Sequence, residues 1–320
     1  MKACVYSSYG PPEVVKVKEI DIPAIGNHDV LIKVYYSTVN RTDCGFRSAE
    51  YFISRFWSGL FSPKYKTLGC EFSGEIVAVG KDVEHFKIGD RVFGYNDKSF
   101  GSHAEFLCIG ENDALCLIPQ GITYEQAAAA TEGSHYALCN IRASKIMQGQ
   151  NALVYGATGA IGTAAVQLLK HFGIHVTAVC NQKNVTLVKS LGADVVIDYE
   201  SEDFTTVDQK FNFVFDAVGK SSFTICKPLM TDKGIYISTE LGKNGSNIFY
   251  AIIGKFSSGK KVLFPIPSIH KSDVEFLASL LHSGKFRPVI DRTFSQDQIV
   301  DAHKYVETGM KTGNVLLKIV

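Results

Sequence analysis

Three evenly spaced glycines, Gly156, Gly159 and Gly162, carry the sharpest chemical signal in the chain, within the run Val154-Tyr155-Gly156-Ala157-Thr158-Gly159-Ala160-Ile161-Gly162. An apolar strand pattern leads into this turn and an apolar-periodic helix pattern leads out. Glycines allow a tight bend and close approach of backbone to a diphosphate, while a helix N-terminus offers unpaired N–H donors and partial positive charge. The GxxGxxG spacing is less usual than GxGxxG, and a structural glycine turn is the plain alternative; the flanking strand and helix favour a dinucleotide site.

The second strand of such a unit should end at Val179-Cys180-Asn181-Gln182-Lys183. An acid there would hold the adenosine ribose through its 2′-hydroxyl and select NAD. No Asp or Glu occurs between Gly156 and Asp194. Lys183 stands where a 2′-phosphate needs a cation, with Asn181 as a neutral hydrogen-bond partner, so NADPH is favoured over NADH. The plain alternative for Lys183 is a solvated lysine at a helix start.

The elements that must position these residues divide the chain. Short β-type runs at Lys2 to Tyr6, Val14 to Ile20, Val30 to Val39, Ser73 to Val79 and His103 to Ile109, separated by turn signals, predict a β-rich first part. From Gly149 the pattern alternates: strands at Ala152 to Tyr155, Ile174 to Val179, Val195 to Ile197, Phe211 to Phe215, Gly234 to Ser238 and Lys261 to Phe264, with helices between them. That order predicts a parallel sheet with crossover helices. Beyond Pro267, helices near Ser272 to Leu281 and Ser295 to Val306 alternate with strands at Arg287 to Thr293 and Val315 to Ile319. The last strand is expected to return to the first part.

Composition bounds the function. A length of 320 residues exceeds the usual single core, so two domains are expected. With 33 basic against 32 acidic residues and no basic stripe, the charge argues against a nucleic-acid partner. No apolar run is long enough to insert into a membrane, and Met1 to Gly10 does not read as a signal peptide, which together predict a cytoplasmic protein. The eight cysteines, at 4, 44, 70, 108, 116, 139, 180 and 226, form no CxxC pair and suggest neither a disulfide framework nor a zinc knuckle.

With these residues in hand, the chain resembles a medium-chain dehydrogenase/reductase of the zinc-independent, quinone-oxidoreductase-like branch over essentially its whole length. The resemblance rests on Gly69-Cys70-Glu71-Phe72-Ser73-Gly74-Glu75, Lys87-Ile88-Gly89-Asp90-Arg91-Val92, the Gly156 to Gly162 turn, Leu191-Gly192-Ala193-Asp194, Ile197-Asp198-Tyr199, Phe215-Asp216-Ala217-Val218-Gly219 and Thr312-Gly313-Asn314-Val315, in that order. It implies an α/β fold with a GroES-like β-rich domain (1–122 and 268–320) and a Rossmann domain (123–267) built on a doubly wound, parallel six-stranded sheet, with the active site in the cleft between them. It also implies a homodimer joined at the Rossmann edge strand, Lys261 to Phe264. By similarity Tyr199 lies near the adenosine phosphate, Ala217, Val218 and Gly219 border the cofactor, and Thr239 and Asn314 approach the nicotinamide. Thr131 joins this cofactor set.

The resemblance also excludes the usual catalytic zinc. Cys70 replaces the histidine of the Gly-His-Glu element, Asn40 stands where a first cysteine ligand belongs, and the four close cysteines of a structural zinc lobe are missing. A set built from Cys44, Cys70 and Glu71 is the remaining metal alternative. Without a Lewis acid, suitable acceptors are those that take hydride readily, quinones or α,β-unsaturated carbonyls, whose developing charge is met by hydrogen-bond donors. The candidate donors are Asn40, Thr42, Tyr51, His135 and Tyr136; the proton would come from water or from a nearby tyrosine or histidine, and its donor stays open. Each has a plainer reading: Asn40 in a turn, the neighbouring Asp43 as a helix cap, His135 as a packed, hydrogen-bonded residue. Arg41 replaces the proline of the family's Asn-Pro-x-Asp element, and no lysine follows Asp43 closely. The aromatic run Tyr51 to Phe61 suits either a wall for flat acceptors or an interface. Two rival functions remain: an NADP-dependent alcohol dehydrogenase with an unusual metal site, and an NADPH-binding sensor or scaffold without turnover.

Overall fold

In the computed structural model, which describes residues 1–49, 55–254 and 258–320, contacts separate two units: Met1–Glu132 with Ile269–Val320, and Gly133–Ser268. In the first unit, β1 (Lys2–Val5) pairs antiparallel with β2 (Lys16–Glu19). The long strand β3 (Asp29–Thr38) buries Val30, Ile32 and Val34 completely and runs directly into α1 (Arg41–Ser48). There follow α2 (Arg55–Ser58), β4 (Glu71–Val79), β5 (Arg91–Tyr95), β6 (Phe106–Gly110), β7 (Leu115–Leu117) and α3 (Tyr124–Ala128). Thr123 starts α3 with a capping box: its hydroxyl accepts from Gln126 N at 3.3 Å, and its own N–H donates to Gln126 Oε1 at 3.0 Å.

Helix α4 (Glu132–Ser144) leads into the second unit, which runs β8 (Asn151–Tyr155), α5 (Ala160–His171), β9 (His175–Cys180), α6 (Val185–Ser190), β10 (Val195–Asp198), β11 (Phe211–Asp216), α7 (Phe223–Cys226), β12 (Met230–Ser238), α8 (Ser246–Gly254) and β13 (Lys261–Leu263). Its six strands are all parallel, in the order β10-β9-β8-β11-β12-β13. This is the doubly wound sheet that the alternation of apolar runs predicts. Leu153, Val179, Phe211, Val214 and Tyr236 lie in one core cluster, and each fully buried side chain of this size contributes about 1.5–3 kcal/mol.

The chain then re-enters the first unit through α9 (Lys271–His282), β14 (Ile290–Ser295), α10 (Ile299–Glu307) and β15 (Asn314–Lys318). The resulting sheet has the order β14-β15-β3-β4-β5-β7, with β6 also on β3. Leu316, Leu317 and Lys318 lie opposite Thr38, Ser37 and Tyr36, so the last strand does return to the first part.

The structure differs from the sequence reading in the first part, where it adds α1, β5, β7 and α3, and at two boundaries. The division between units falls after Glu132, not after residue 122. The reason is local packing: Ala128 and Ala129 are buried against Leu316 beside Tyr36 and Ile290, which ties α3 to the first unit's sheet. Helix α10 begins at Ile299, not Ser295, because a 3₁₀ turn at Gln296–Gln298 precedes it.

Candidate functional site

In the second unit, the residues singled out by sequence gather at the carboxyl ends of the parallel strands. Gly156 follows β8, Asn181 follows β9, Tyr199 follows β10, Ala217 follows β11 and Thr239 follows β12. Open α/β sheets bind ligands outside this edge. Gly156 adopts φ +78°, and a Cβ on it would come within 2.5 Å of Val218 Cγ2. A Cβ on Gly162 would come within 2.1 Å of the Gly156 carbonyl oxygen, so this glycine lets α5 start against the turn. A Cβ on Gly159, the residue preceding α5, would meet nothing within 4 Å. Ala157 and Ala160 are buried, whereas Thr158 and Ile161 are half-buried.

Asp216 organises the neighbouring turn. Its carboxylate accepts from Val218 N at 3.2 Å, Ser221 N at 2.9 Å and the Tyr236 hydroxyl at 3.2 Å. Burial nevertheless raises its carboxyl above the ordinary range. The bond from Ala217 N to Tyr155 O joins this turn to β8, and Thr239 N donates to Asp216 O. Gly219 has φ +66°.

At the end of β9, Lys183 is exposed and the Asn181 side-chain oxygen accepts from Asn184 Nδ2 at 2.7 Å. Tyr199 N donates to Cys180 O, and the Tyr199 side chain is half exposed. The register of β10 on β9 also brings an acid that the sequence reading missed. Glu200 Oε2 accepts from Gln182 N at 3.2 Å. A search confined to the segment before Asp194 cannot see it, because it arrives from the next strand.

In the first unit, β3, α1, β4 and the residues before α4 build a buried polar cluster. Glu71 Oε1 accepts from Thr131 N (2.8 Å), Thr131 Oγ1 (2.9 Å) and Glu132 N (2.6 Å), while Oε2 accepts from Thr38 Oγ1 (2.6 Å) and Asn40 Nδ2 (3.1 Å). Its carboxylate thus caps the start of α4. Asn40 Nδ2 also reaches Thr38 Oγ1 at 2.7 Å and Glu132 Oε2 at 2.8 Å, and Thr42 Oγ1 lies 2.5 Å from Glu132 Oε1. Asp43 accepts from Asn40 N at 2.8 Å and Gly69 N at 2.9 Å. Burial pushes all three carboxyls upward, and for Glu132 the neighbouring Glu71 and Asp43 add to it. Lys311 lies close enough for its ammonium to feel Glu132 and Glu71, and burial draws its pKa down.

The sequence candidates are therefore placed differently from one another. Asn40 and Thr42 meet at Glu132, which the sequence reading did not select; a carboxyl in an unremarkable run gives no motif signal. Thr131 and Asn314, expected on the cofactor side, belong to the first unit. Thr131 bonds Glu71, and Asn314 Nδ2 donates to Ala129 O (3.3 Å) and Val289 O (3.1 Å). His135 and Tyr136 lie on α4 with ring centroids 4.6 Å apart. Tyr51 falls outside the described residues, as does most of the first half of its aromatic run. Of the alternative metal set, Cys44 Sγ sits 3.4 Å from His303 Nδ1 and Glu71 is occupied as above. Among the described residues no group of three His, Cys, Asp or Glu side chains is arranged to hold a metal ion.

Comparison with known proteins places this geometry. Residues 26–150 match the family model for the alcohol dehydrogenase GroES-like domain, and residues 191–317 match that of a zinc-binding dehydrogenase family. The chain belongs to the medium-chain dehydrogenase/reductase superfamily, in its quinone-oxidoreductase-like branch. It is 31% identical to the 2-methylene-furan-3-one reductase of Solanum lycopersicum, over 99% of this chain and 79% of that protein. It is 32% identical to the chloroplastic NADPH-dependent alkenal/one oxidoreductase of Arabidopsis thaliana, with the same coverage. The solved quinone oxidoreductase of Coxiella burnetii is similar with a TM-score of 0.89 and 26% identity, over 100% of this chain and 99% of that one.

Proposed function

We propose that the protein is a zinc-independent, NADPH-dependent oxidoreductase that transfers hydride to a quinone or an α,β-unsaturated carbonyl compound. The observation that carries this reading is the convergence of the Gly156–Gly162 turn, the Ala217–Gly219 turn, Thr239, Tyr199 and Lys183 on one edge of the parallel sheet. The names of the two plant relatives agree with the acceptor class, and one of them with NADPH.

The residues fit the cofactor. The approach to Gly159 is open, with nothing within 4 Å of the position a Cβ would take, and the first N–H groups of α5 would hold a diphosphate there. Lys183 would meet the 2′-phosphate, with Asn181 beside it. Bound there, the cofactor supplies hydride from its nicotinamide C4. The chain's own part is to position the acceptor and answer the charge that develops on its oxygen. Thr42 is suited to this because it is half-buried, whereas Asn40 is nearly fully buried and spends its amide on Thr38, Glu71 and Glu132.

The eight free cysteines suit a reducing compartment such as the cytoplasm. A homodimer through β13 is supported by that strand's position at the edge of the sheet. Among the described residues no helix is long and apolar enough to cross a membrane.

The reading is tested by mixing the protein with NADPH, or NADH, and a panel of ortho-quinones, para-quinones and enones while following nucleotide absorbance. NADPH consumption with at least one acceptor is expected. No consumption above background would favour a binding protein without turnover; stoichiometric zinc whose removal abolishes turnover would favour the metal-dependent alcohol dehydrogenase.

A further inference from the structure

The first unit holds three carboxyl groups, Asp43, Glu71 and Glu132, in one buried network, and their hydrogen bonds are unequal. Glu71 takes five donor contacts, three of them on one oxygen, which is the environment of an ionised carboxylate. Asp43 takes two backbone N–H groups, with His103 as a nearby opposing charge. Among the described residues, the Glu132 carboxyl takes the Asn40 amide, shared with Thr38 and Glu71, and the Thr42 hydroxyl. Three buried negative charges so close together repel one another; Lys311 before β15 feels Glu132 and Glu71, yet Glu71 and Asp43 both push the Glu132 carboxyl upward. Glu132 is the member least able to bear one.

The Thr42 contact adds direction. At 2.5 Å the Oγ1–Oε1 contact is at the short end for O–H···O bonds, close enough for a proton to pass between the two oxygens. Toward a carboxylate the Thr42 hydroxyl donates; toward a protonated Glu132 the acid donates instead, and the threonine's own hydrogen is released to point elsewhere. Glu132 is almost fully buried, whereas Thr42 is half-buried, so the hydroxyl is the outward end of the pair.

We propose that Glu132 is the proton reserve of the reaction, held as a carboxylic acid and delivering its proton to the acceptor through the Thr42 hydroxyl. This rests on the reading above. The acceptor gains hydride as NADPH is oxidised to NADP⁺, leaving a negative charge on its oxygen. The Thr42 O–H bond breaks as a proton passes to that oxygen, the Glu132 O–H bond breaks to restore the threonine, and Glu132 is left as a carboxylate. Solvent returns its proton along the same path after product leaves. A quinone thereby becomes a quinol, and an enone becomes an enol that rearranges to the saturated carbonyl.

Three variants test this. With the best acceptor, Glu132→Gln should lower kcat about 100-fold with little change in NADPH affinity, and should abolish the wild-type fall in rate at high pH. Thr42→Val should lose rate similarly, and Thr42→Ser should restore it. In the apoprotein at neutral pH, infrared spectra should contain a carboxylic-acid carbonyl band that disappears in Glu132→Gln and persists in Thr42→Val. Stability offers a check on sign: because Glu132 titrates above its unfolded value, its contribution is complete at low pH and fades as pH rises through the folded pKa, so wild type should lose stability relative to Glu132→Gln across that interval. If Glu132→Gln does not fold, Thr42→Val and the wild-type band decide. Wild-type turnover with an unchanged kcat and pH profile in the variants would overturn the relay alone. Absence of turnover in the wild type would remove the underlying function and this inference with it.

Discussion

Lys183 follows β9 and Glu200 follows the neighbouring β10, with opposite charges, and the Glu200 carboxylate is tied to Gln182 N at 3.2 Å. A 2′-phosphate brought to Lys183 would gain a charge-assisted contact and feel repulsion from Glu200. Lys183→Ala should therefore weaken NADPH binding by about 1–3 kcal/mol while leaving NADH nearly unchanged. Glu200→Gln keeps an acceptor for Gln182 N and removes the charge, so it should tighten NADPH, and not NADH, by about 0.2–1 kcal/mol, less at high salt. Calorimetric titration of both nucleotides at two ionic strengths checks the pair. Equal effects on NADH and NADPH would separate these residues from the ribose phosphate.

The glycine turn works as an element because Gly162 brings the first turn of α5 against Gly156. An alanine in an exposed helix usually stabilises by about 0.5–1 kcal/mol relative to glycine. Here the added Cβ would lie 2.1 Å from a backbone oxygen, which has no side-chain freedom to yield. Gly162→Ala should therefore destabilise the protein by about 1–3 kcal/mol and weaken binding of both nucleotides. Denaturant unfolding and nucleotide titration measure the two effects. A stabilised variant with unchanged binding would mean that helix and turn do not need this approach.

At the scale of the whole molecule, α8 lies beside the edge strand β13 and leaves Phe249 and Ile252 60% and 56% exposed. An edge strand and an apolar helix face are a liability in an isolated chain and an asset in a symmetric pair. If the proposed homodimer forms through this face, the double substitution Phe249→Asp with Ile252→Asp should convert it into a folded monomer. Light scattering after size exclusion, with circular dichroism to confirm folding, measures this; an unchanged mass would place the interface elsewhere.

Much of the molecule is legible in the chain alone because its signals are local. Turn chemistry at Gly156 to Gly162 and the alternation of apolar runs both report on backbone geometry within a few residues, and they specify a parallel nucleotide-binding sheet without reference to anything distant. Helix α1 and helix α4 were less legible: Arg41–Ser48 contains Gly45 and several polar residues, and the start of α4 is capped by Glu71 from a strand far away in sequence. Asn40 and Thr42 could be chosen by residue type. Their shared partner Glu132, 90 residues or more along the chain, could not. The same holds for Glu200 beside Gln182, which depends on strand register. Burial, the number of donors each carboxyl receives and the meeting of distant charges are properties of the packed chain, and they decide which acid keeps its proton.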